Sequence, residues 1–165
     1  MMPSPASSTI PTSGCSQGAA SFAQERIWVD EKFHHNSPMS PAMHNFVLPL
    51  MIKHGSMSIE RIRSAIVAVL EQHKILRTAI YFDENRNMLV QAVQSMVNHG
   101  AYSFEITAND IQSPDEIADL LRNESVKHFA ELEQGLVVRC HLVKVGSDDD
   151  TNKLYPQDLI IFIFH

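Results

Sequence analysis

Apolar positions along this chain recur at two periods. From Ser58 to about His73, the residues Ile59, Ile62, Ile66, Val69, Leu70 and His73 share one face at helical spacing. Glu60, Arg61, Arg63, Ser64, Glu71 and Gln72 lie mostly on the other. This predicts an amphipathic helix with Ser58 as its N-cap. A second helix is predicted from Ser113-Pro114-Asp115-Glu116 through Ile117, Leu120 and Leu121 to about Leu132. Ser113 caps it, Pro114 takes the first helical position, and Glu116 closes a capping box. Ser21-Phe22-Ala23-Gln24 fits another capping box, so a short helix carrying Arg26, Ile27 and Trp28 should follow.

Between the helices the period shortens. Leu76 to Phe82 and Met88 to Val93 read as two strands joined by the hairpin loop 83–87. Tyr102 to Ile106 alternates as a half-buried strand does, and Leu136 to Val145 is another strand. Asn45 to Met51 is apolar, but Pro49 confines it to an edge or a bulge. The order is helix, strand, helix, hairpin, strand, helix, strand, strand. It predicts an α+β fold, a two-layer sandwich with helices on one face of a mostly antiparallel sheet.

The last strand differs from the others. Leu159-Ile160-Ile161-Phe162-Ile163-Phe164 is unbroken, β-branched and aromatic, and His165 follows it. Such a run predicts a strand buried on both faces. The elements that cover it are not evident from the pattern. We therefore expect the front part of a larger domain, cut near a functional histidine, with this strand exposed in the isolated chain.

Composition removes several classes. The net charge of -6, with Lys and Arg scattered, argues against a nucleic-acid binder. No stretch approaches the ~18 apolar residues that span a bilayer. Cys15 lies in a polar tail and Cys140 in a strand-like run, so neither a disulfide framework nor zinc-ligand spacing is present. Cys140 reads as a small buried hydrophobe. Met1 to Ala20 has no charged residue and is rich in Ser, Pro, Thr and Gly. It is expected to be a disordered leader or linker, and it lacks the basic start and apolar stretch of an export signal. A cytoplasmic location is the resulting expectation. The acidic loop around Asp148-Asp149-Asp150 reads as solvated surface.

Four segments in order carry a resemblance. Ser21-Phe22-Ala23-Gln24-Glu25-Arg26-Ile27-Trp28 resembles the opening S-x-A-Q-x-R-x-W motif of nonribosomal peptide synthetase condensation domains. Gln72-His73-Lys74-Ile75-Leu76-Arg77-Thr78-Ala79-Ile80 is similar to that family's R-H-E-x-L-R-T-x-F. Gln72, Lys74 and Ile80 depart from it. Phe129-Ala130-Glu131-Leu132 through Gly135-Leu136-Val137-Val138-Arg139 resembles F-x-L…G-P-L-x-R, without the proline. Phe164-His165 then stands where the family's H-H-x-x-x-D-G begins. The resemblance covers the chain from about Ser21 onward and less than half of a complete domain.

The resemblance implies a chloramphenicol-acetyltransferase-like N-terminal lobe, residues 21–165, after a leader of residues 1–20. It also implies peptide-bond formation between thioesters carried on phosphopantetheine arms of peptidyl carrier proteins, with adenylation domains as further partners. No cofactor or metal is expected on the chain itself. His165 would be the first histidine of its motif, the main catalytic histidine coming next. Ser21, Gln24, Arg26, Trp28, His73, Arg77 and Thr78 would be structural motif residues. Ser21 is a cap and not a nucleophile. His73 should be a hydrogen-bonded core histidine. Arg77 should brace the active-site strand, paired with a carboxylate or several carbonyls. His34-His35, followed by no Asp-Gly, is a decoy. The alternatives are another acyltransferase with the same histidine motif, or a non-catalytic scaffold or carrier-protein docking module.

Overall fold

The computed structural model describes residues 16–34, 41–96, 102–108, 111, 113–129, 132–145 and 152–165. Three helices and nine strands are formed there: β1 (Gln17–Ala19), α1 (Phe22–His34), β2 (Phe46–Met51), β3 (Met57–Ser58), α2 (Ile59–Gln72), β4 (Thr78–Asp83), β5 (Met88–Val93), β6 (Ser103–Ala108), α3 (Pro114–Val126), β7 (Val138–Lys144), β8 (Lys153–Leu154) and β9 (Leu159–Phe164). Single 3₁₀ turns occupy Lys74–Arg77 and Leu132–Gln134.

The larger sheet has the order β2-β9-β7-β6, and a smaller one has the order β1-β5-β4. All pairs in them are antiparallel except β6–β7. That parallel pair is joined through α3, as a crossover connection requires. β2 is an edge strand, which accommodates Pro49 opposite Ile161. The α+β class and the mostly antiparallel pairing hold.

The layering is fuller than helices on one face. Alternation along β7 and β9 sends Val138, Cys140, Leu142 and Ile160 to one face, where they pack with Ile59, Ile62, Ile66 and Leu70 of α2. Val143, Leu159, Ile161 and Ile163 go to the other, against Phe129 and the α3 residues Ile117, Leu120 and Leu121. Each α2 side chain so buried stabilises by roughly 1.5–3 kcal/mol. Val69 is not among them, being exposed.

β9 is thus paired on both edges and covered on both faces. The expected burial of this strand is correct, but its expected exposure in the isolated chain is not, since α2 and α3 supply the cover. Ser16–Ala20 also departs from the expected leader. Gln17–Ala19 forms β1 against β5, and Val93 N–H donates to Ser16 O at 2.6 Å. Residues 1–15 lie outside the described residues.

The Ser21 capping box forms with both its bonds, and at Ser113 the N-cap bond forms. Ser21 N–H donates to Gln24 Oε1 (2.7 Å), and Gln24 N–H to Ser21 Oγ (3.3 Å). Ser113 Oγ accepts from Glu116 N–H at 3.3 Å. Ser58 stands at the N-cap of α2, yet its side chain makes no capping bond. The first N–H of that helix, on Ile59, goes instead to Asn152 O at 3.0 Å.

α3 stops at Val126 and not near Leu132. The cause is Arg139. Its Nη2 donates to Glu124 O (3.1 Å), and its Nη1 to Lys127 O (3.1 Å) and His128 O (2.9 Å). Asn45 Nδ2 serves Ser125 O and Lys127 O, and Ala42 N–H serves Val126 O. The carbonyls that a continuing helix would use are taken by groups outside it, and a cation sits at the favourable end of the helix dipole.

Candidate functional site

One cavity of about 560 Å³ collects residues from all four sequence motifs. Gln24, Ile27, Trp28, Glu31 and Lys32 of α1 form one side, and Ile75, Thr78 and Ile80 a second. Phe129, Leu132, Glu133, Gln134 and Val137 form a third, with His165 at the end of β9. Half of these residues are aliphatic or aromatic hydrophobes, and apolar atoms make up most of the lining surface.

The walls are built locally. Past Gln72 the chain leaves the helix, with His73 at φ −111°, ψ 87°. Leu76 N–H then bonds His73 O, and Thr78 Oγ1 donates to Lys74 O at 2.8 Å. This 3₁₀ turn replaces the expected start of the strand at Leu76 and delivers Thr78 and Ile80 to the cavity.

The opposing wall is set by Gly135. Its φ is +85°, in the left-handed region. A Cβ there would lie 2.7 Å from Gln94 Cγ and 3.2 Å from both Ala79 N and Arg77 O. The glycine of the third motif is therefore the point where it touches the backbone of the second.

His165 is held from several directions. Its N–H donates to Val137 O at 3.1 Å. Its ring lies edge-on to Phe129 with centroids 5.9 Å apart, and 6.5 Å from the His44 ring. Its Nε2 is 3.2 Å from Glu31 Oε1. Glu31 is buried, and neither it nor His44 carries a signal in the sequence that points to His165.

Gln24 joins α1 to the smaller sheet through Gln91 Oε1 at 3.2 Å. Trp28 is half-buried beneath the Lys32 ammonium, 5.4 Å from its ring, and Lys32 pairs with Glu133 at 2.6 Å. Ser21 is an exposed cap, and Arg26 is exposed. His73 is also exposed, contrary to the expected core position, because the helix ends one residue before it. Arg77 closes the 3₁₀ turn and is half-buried. It donates through Nε to Leu70 O (3.1 Å) and through Nη1 to Gln94 O. Its partners among the described residues are thus carbonyls. Of the decoy pair, His34 is the last residue of α1 and His35 lies outside the described residues, as does the acidic loop 148–150.

Behind Phe129 lies a buried polar group that sequence reasoning missed. Glu124 Oε2 is 3.4 Å from Arg139 Nη2, and Glu124 Oε1 is 3.1 Å from His141 Nδ1. His141 Nε2 is 2.8 Å from Thr107 Oγ1, and the Arg139 guanidinium stacks 4.3 Å over the Phe129 ring. Burial pushes the Glu124 carboxyl up, but the His141 hydrogen bond and the Lys127, Arg139 and His141 charges outweigh it and hold the group below the ordinary carboxylate range. Burial lowers Arg139. Cys140 is buried and its thiol is pushed up to about 12 by burial, as an inert core cysteine requires. Among the described residues no set of three or more His, Cys, Asp or Glu is placed to hold a metal ion. No described helix is long and apolar enough to cross a membrane.

Comparison with known proteins agrees with this geometry. The family model "Condensation domain" matches residues 17–152. CymA of Salinispora arenicola (strain CNS-205), described as a "probable non-canonical nonribosomal peptide synthetase", is 28% identical over 129 residues, 78% of this chain and 2% of that protein. The starter condensation domain of rhizomide synthetase RzmA superposes with a TM-score of 0.66 at 18% identity, over 92% of this chain and 34% of that one. The holo form of AB3403, a four-domain nonribosomal peptide synthetase bound to AMP and glycine, gives 0.67 at 17% identity, over 92% of this chain and 10% of that one. The condensation domain of the Monacolin K polyketide synthase MokA gives 0.63 at 19% identity, over 92% and 30%. The chain therefore spans about a third or less of the solved relatives it superposes on. The matched residues include the first three motifs and every cavity-lining residue except His165, and the chain belongs to the condensation-domain family.

Proposed function

We propose that this chain is the N-terminal lobe of a domain that forms peptide bonds between carrier-bound thioesters. The observation that carries this reading is the convergence of the four motifs on one mostly apolar cavity with His165 at its edge. The reaction joins an acceptor amine to the carbonyl of a donor thioester. A C–N bond forms, the C–S bond breaks, the thiol leaves on its carrier arm, and the amine gives up a proton. Walls such as Ile80, Phe129 and Val137 would exclude water and hold the donor in line. Fixed geometry of this kind supplies much of the rate of such a reaction. A histidine beside the amine orients it or takes its proton. On the family's pattern that histidine follows His165, and His165 supports it. The partners are peptidyl carrier proteins with their phosphopantetheine arms and the adenylation domains that load them. With one wall of the tunnel, residues 1–165 alone should not condense substrates.

Trp28 is the single tryptophan and lines the cavity, so its fluorescence reports occupancy. Titration with aminoacyl or acyl N-acetylcysteamine thioesters, which mimic the arm, should change Trp28 emission saturably. Thr78→Phe, which fills the cavity without adding a second indole, should abolish the response. Emission unaltered up to millimolar thioester would remove the proposed site.

A further inference from the structure

We propose that Glu31 is a positioning residue for His165, fixing which ring nitrogen carries the proton. The inference rests on the reading of His165 as a motif histidine only for its functional weight. Its structural content stands on the pair itself. Glu31 is among the few buried carboxylates of the described residues, and its Oε1 lies 3.2 Å from His165 Nε2. An ionised carboxylate only accepts hydrogen bonds, so in this contact Nε2 must be the donor. The neutral ring is then the Nε2–H form, and Nδ1 is the nitrogen without a proton. A carboxylate on one nitrogen of a histidine also sets the orientation of the ring and the basicity of the other nitrogen.

The main chain of His165 is pinned to Val137 O, so the ring turns only about its side-chain bonds. Phe129 contacts it edge-on and offers no acceptor. Two neighbouring charged groups have partners of their own among the described residues. Lys32 pairs with Glu133 at 2.6 Å, and His44 with Asp30 at 3.0 Å. Glu31 lies in the turn of α1 that follows Trp28, so the helix that opens with the first motif reaches the histidine motif through this carboxylate. The two residues are 134 positions apart in sequence.

The test uses the whole chain labelled with ¹⁵N-histidine, observed by long-range ¹H–¹⁵N correlation above the imidazole titration, where only one ring nitrogen is protonated. In the wild type, His165 Nε2 should give the pyrrole-type shift and Nδ1 the pyridine-type shift. Glu31→Ala should move both toward the average of a tautomer mixture. Glu31→Gln, whose amide can accept or donate, should fall between. His141 is buried and held by Glu124, away from Glu31, so an unchanged His141 pattern certifies the fold. A wild-type His165 with its proton on Nδ1 would overturn the proposal even if no variant folds. So would a folded Glu31→Ala with the wild-type pattern. Loss of the thioester response described above would undermine the catalytic reading while leaving this result intact, so the two failures are distinguishable.

Discussion

The contact between the third and second motifs makes a quantitative prediction about Gly135. Replacing it by alanine adds a Cβ to a residue at φ +85°, with Gln94 Cγ 2.7 Å away and Ala79 N and Arg77 O both at 3.2 Å. Gln94 Cγ belongs to a side chain that can swing away. Ala79 and Arg77 present backbone fixed by β4 and by the Gln94 N–H bond to Arg77 O at 2.9 Å. The left-handed conformation costs an L-residue about 1–2 kcal/mol, and forcing atoms into packed space adds about 1–3 kcal/mol. Gly55 provides a matched control. It lies at φ +74° with nothing within 4 Å of its notional Cβ. Gly55→Ala therefore carries the conformational part alone, and both variants gain equally from a stiffer unfolded chain.

Urea unfolding followed by Trp28 emission measures the difference. Gly135→Ala should be less stable than Gly55→Ala by about 1–3 kcal/mol. With a slope of about 2 kcal/mol per molar urea, the two midpoints should differ by roughly 0.5–1.5 M. Equal midpoints at equal slopes would refute the close-approach argument and leave only backbone conformation. The Gly135 variant should also bind the thioester mimics less well, because the turn it displaces carries Leu132 to Gln134 into the cavity wall.

Three further outcomes follow from the geometry. Glu124 is held below the usual carboxylate range in the folded chain, so it contributes stability above its unfolded titration that is lost as pH falls through the folded one. Glu124→Ala should cost about 3–5 kcal/mol near neutral pH by removing the carboxylate that offsets the buried Arg139 charge, although its carbonyl acceptors remain, and thermal melts should show the gap to wild type narrowing in acid. Arg77→Ala should cost about 1.5–3 kcal/mol per lost charge-assisted bond before discounting for partial exposure, with Arg77→Lys a poor substitute because one ammonium lacks the fork that reaches both Leu70 O and Gln94 O; melts equal to wild type would place it outside the framework. Cys140, with its thiol pushed up to about 12, should resist iodoacetamide at neutral pH in the folded chain and react in urea, as read by mass.

What was legible in the sequence is what local chemistry determines. The capping box at Ser21 and the N-cap at Ser113 formed because their partners sit three residues away. The run Leu159–Phe164 became a doubly covered strand because continuous apolar sequence has no solvent face to offer. The failures share a different cause. The end of α3 depends on Arg139, Asn45 and Ala42, all distant in sequence, taking its last carbonyls. His73 matches the apolar stripe of α2 by spacing, but a face defined by helical spacing ends where the helix ends. The Glu124–His141 and Glu31–His165 pairs join residues 17 and 134 positions apart. A carboxylate in an amphipathic helix looks solvated until a partner across the fold is known.

These two kinds of attachment divide the cavity walls by strength. β9 is locked between two apolar cores, so His165 cannot shift far without disturbing α2 and α3 together. α1 is docked differently. Phe22, Ile27, Val29 and Phe33 are exposed, and the described side-chain links of the helix to the rest of the fold are polar: Gln24 to Gln91, Asp30 to His44, Glu31 to His165 and Lys32 to Glu133. The Lys32–Glu133 pair is half-exposed on both sides and contributes only about 0–1 kcal/mol, less at high salt. Local opening is easiest where few apolar contacts resist it. The amides of α1 should therefore exchange with solvent deuterium well before those of α2 around Ile62 and Ile66, and raising salt should speed α1 selectively. Bound thioester should slow α1 more than any other helix, because α1 supplies Gln24, Ile27 and Trp28 to the occupied cavity. If α1 and α2 exchanged at the same rate, the polar links would be holding the wall as firmly as a core does, and the division drawn here would be wrong.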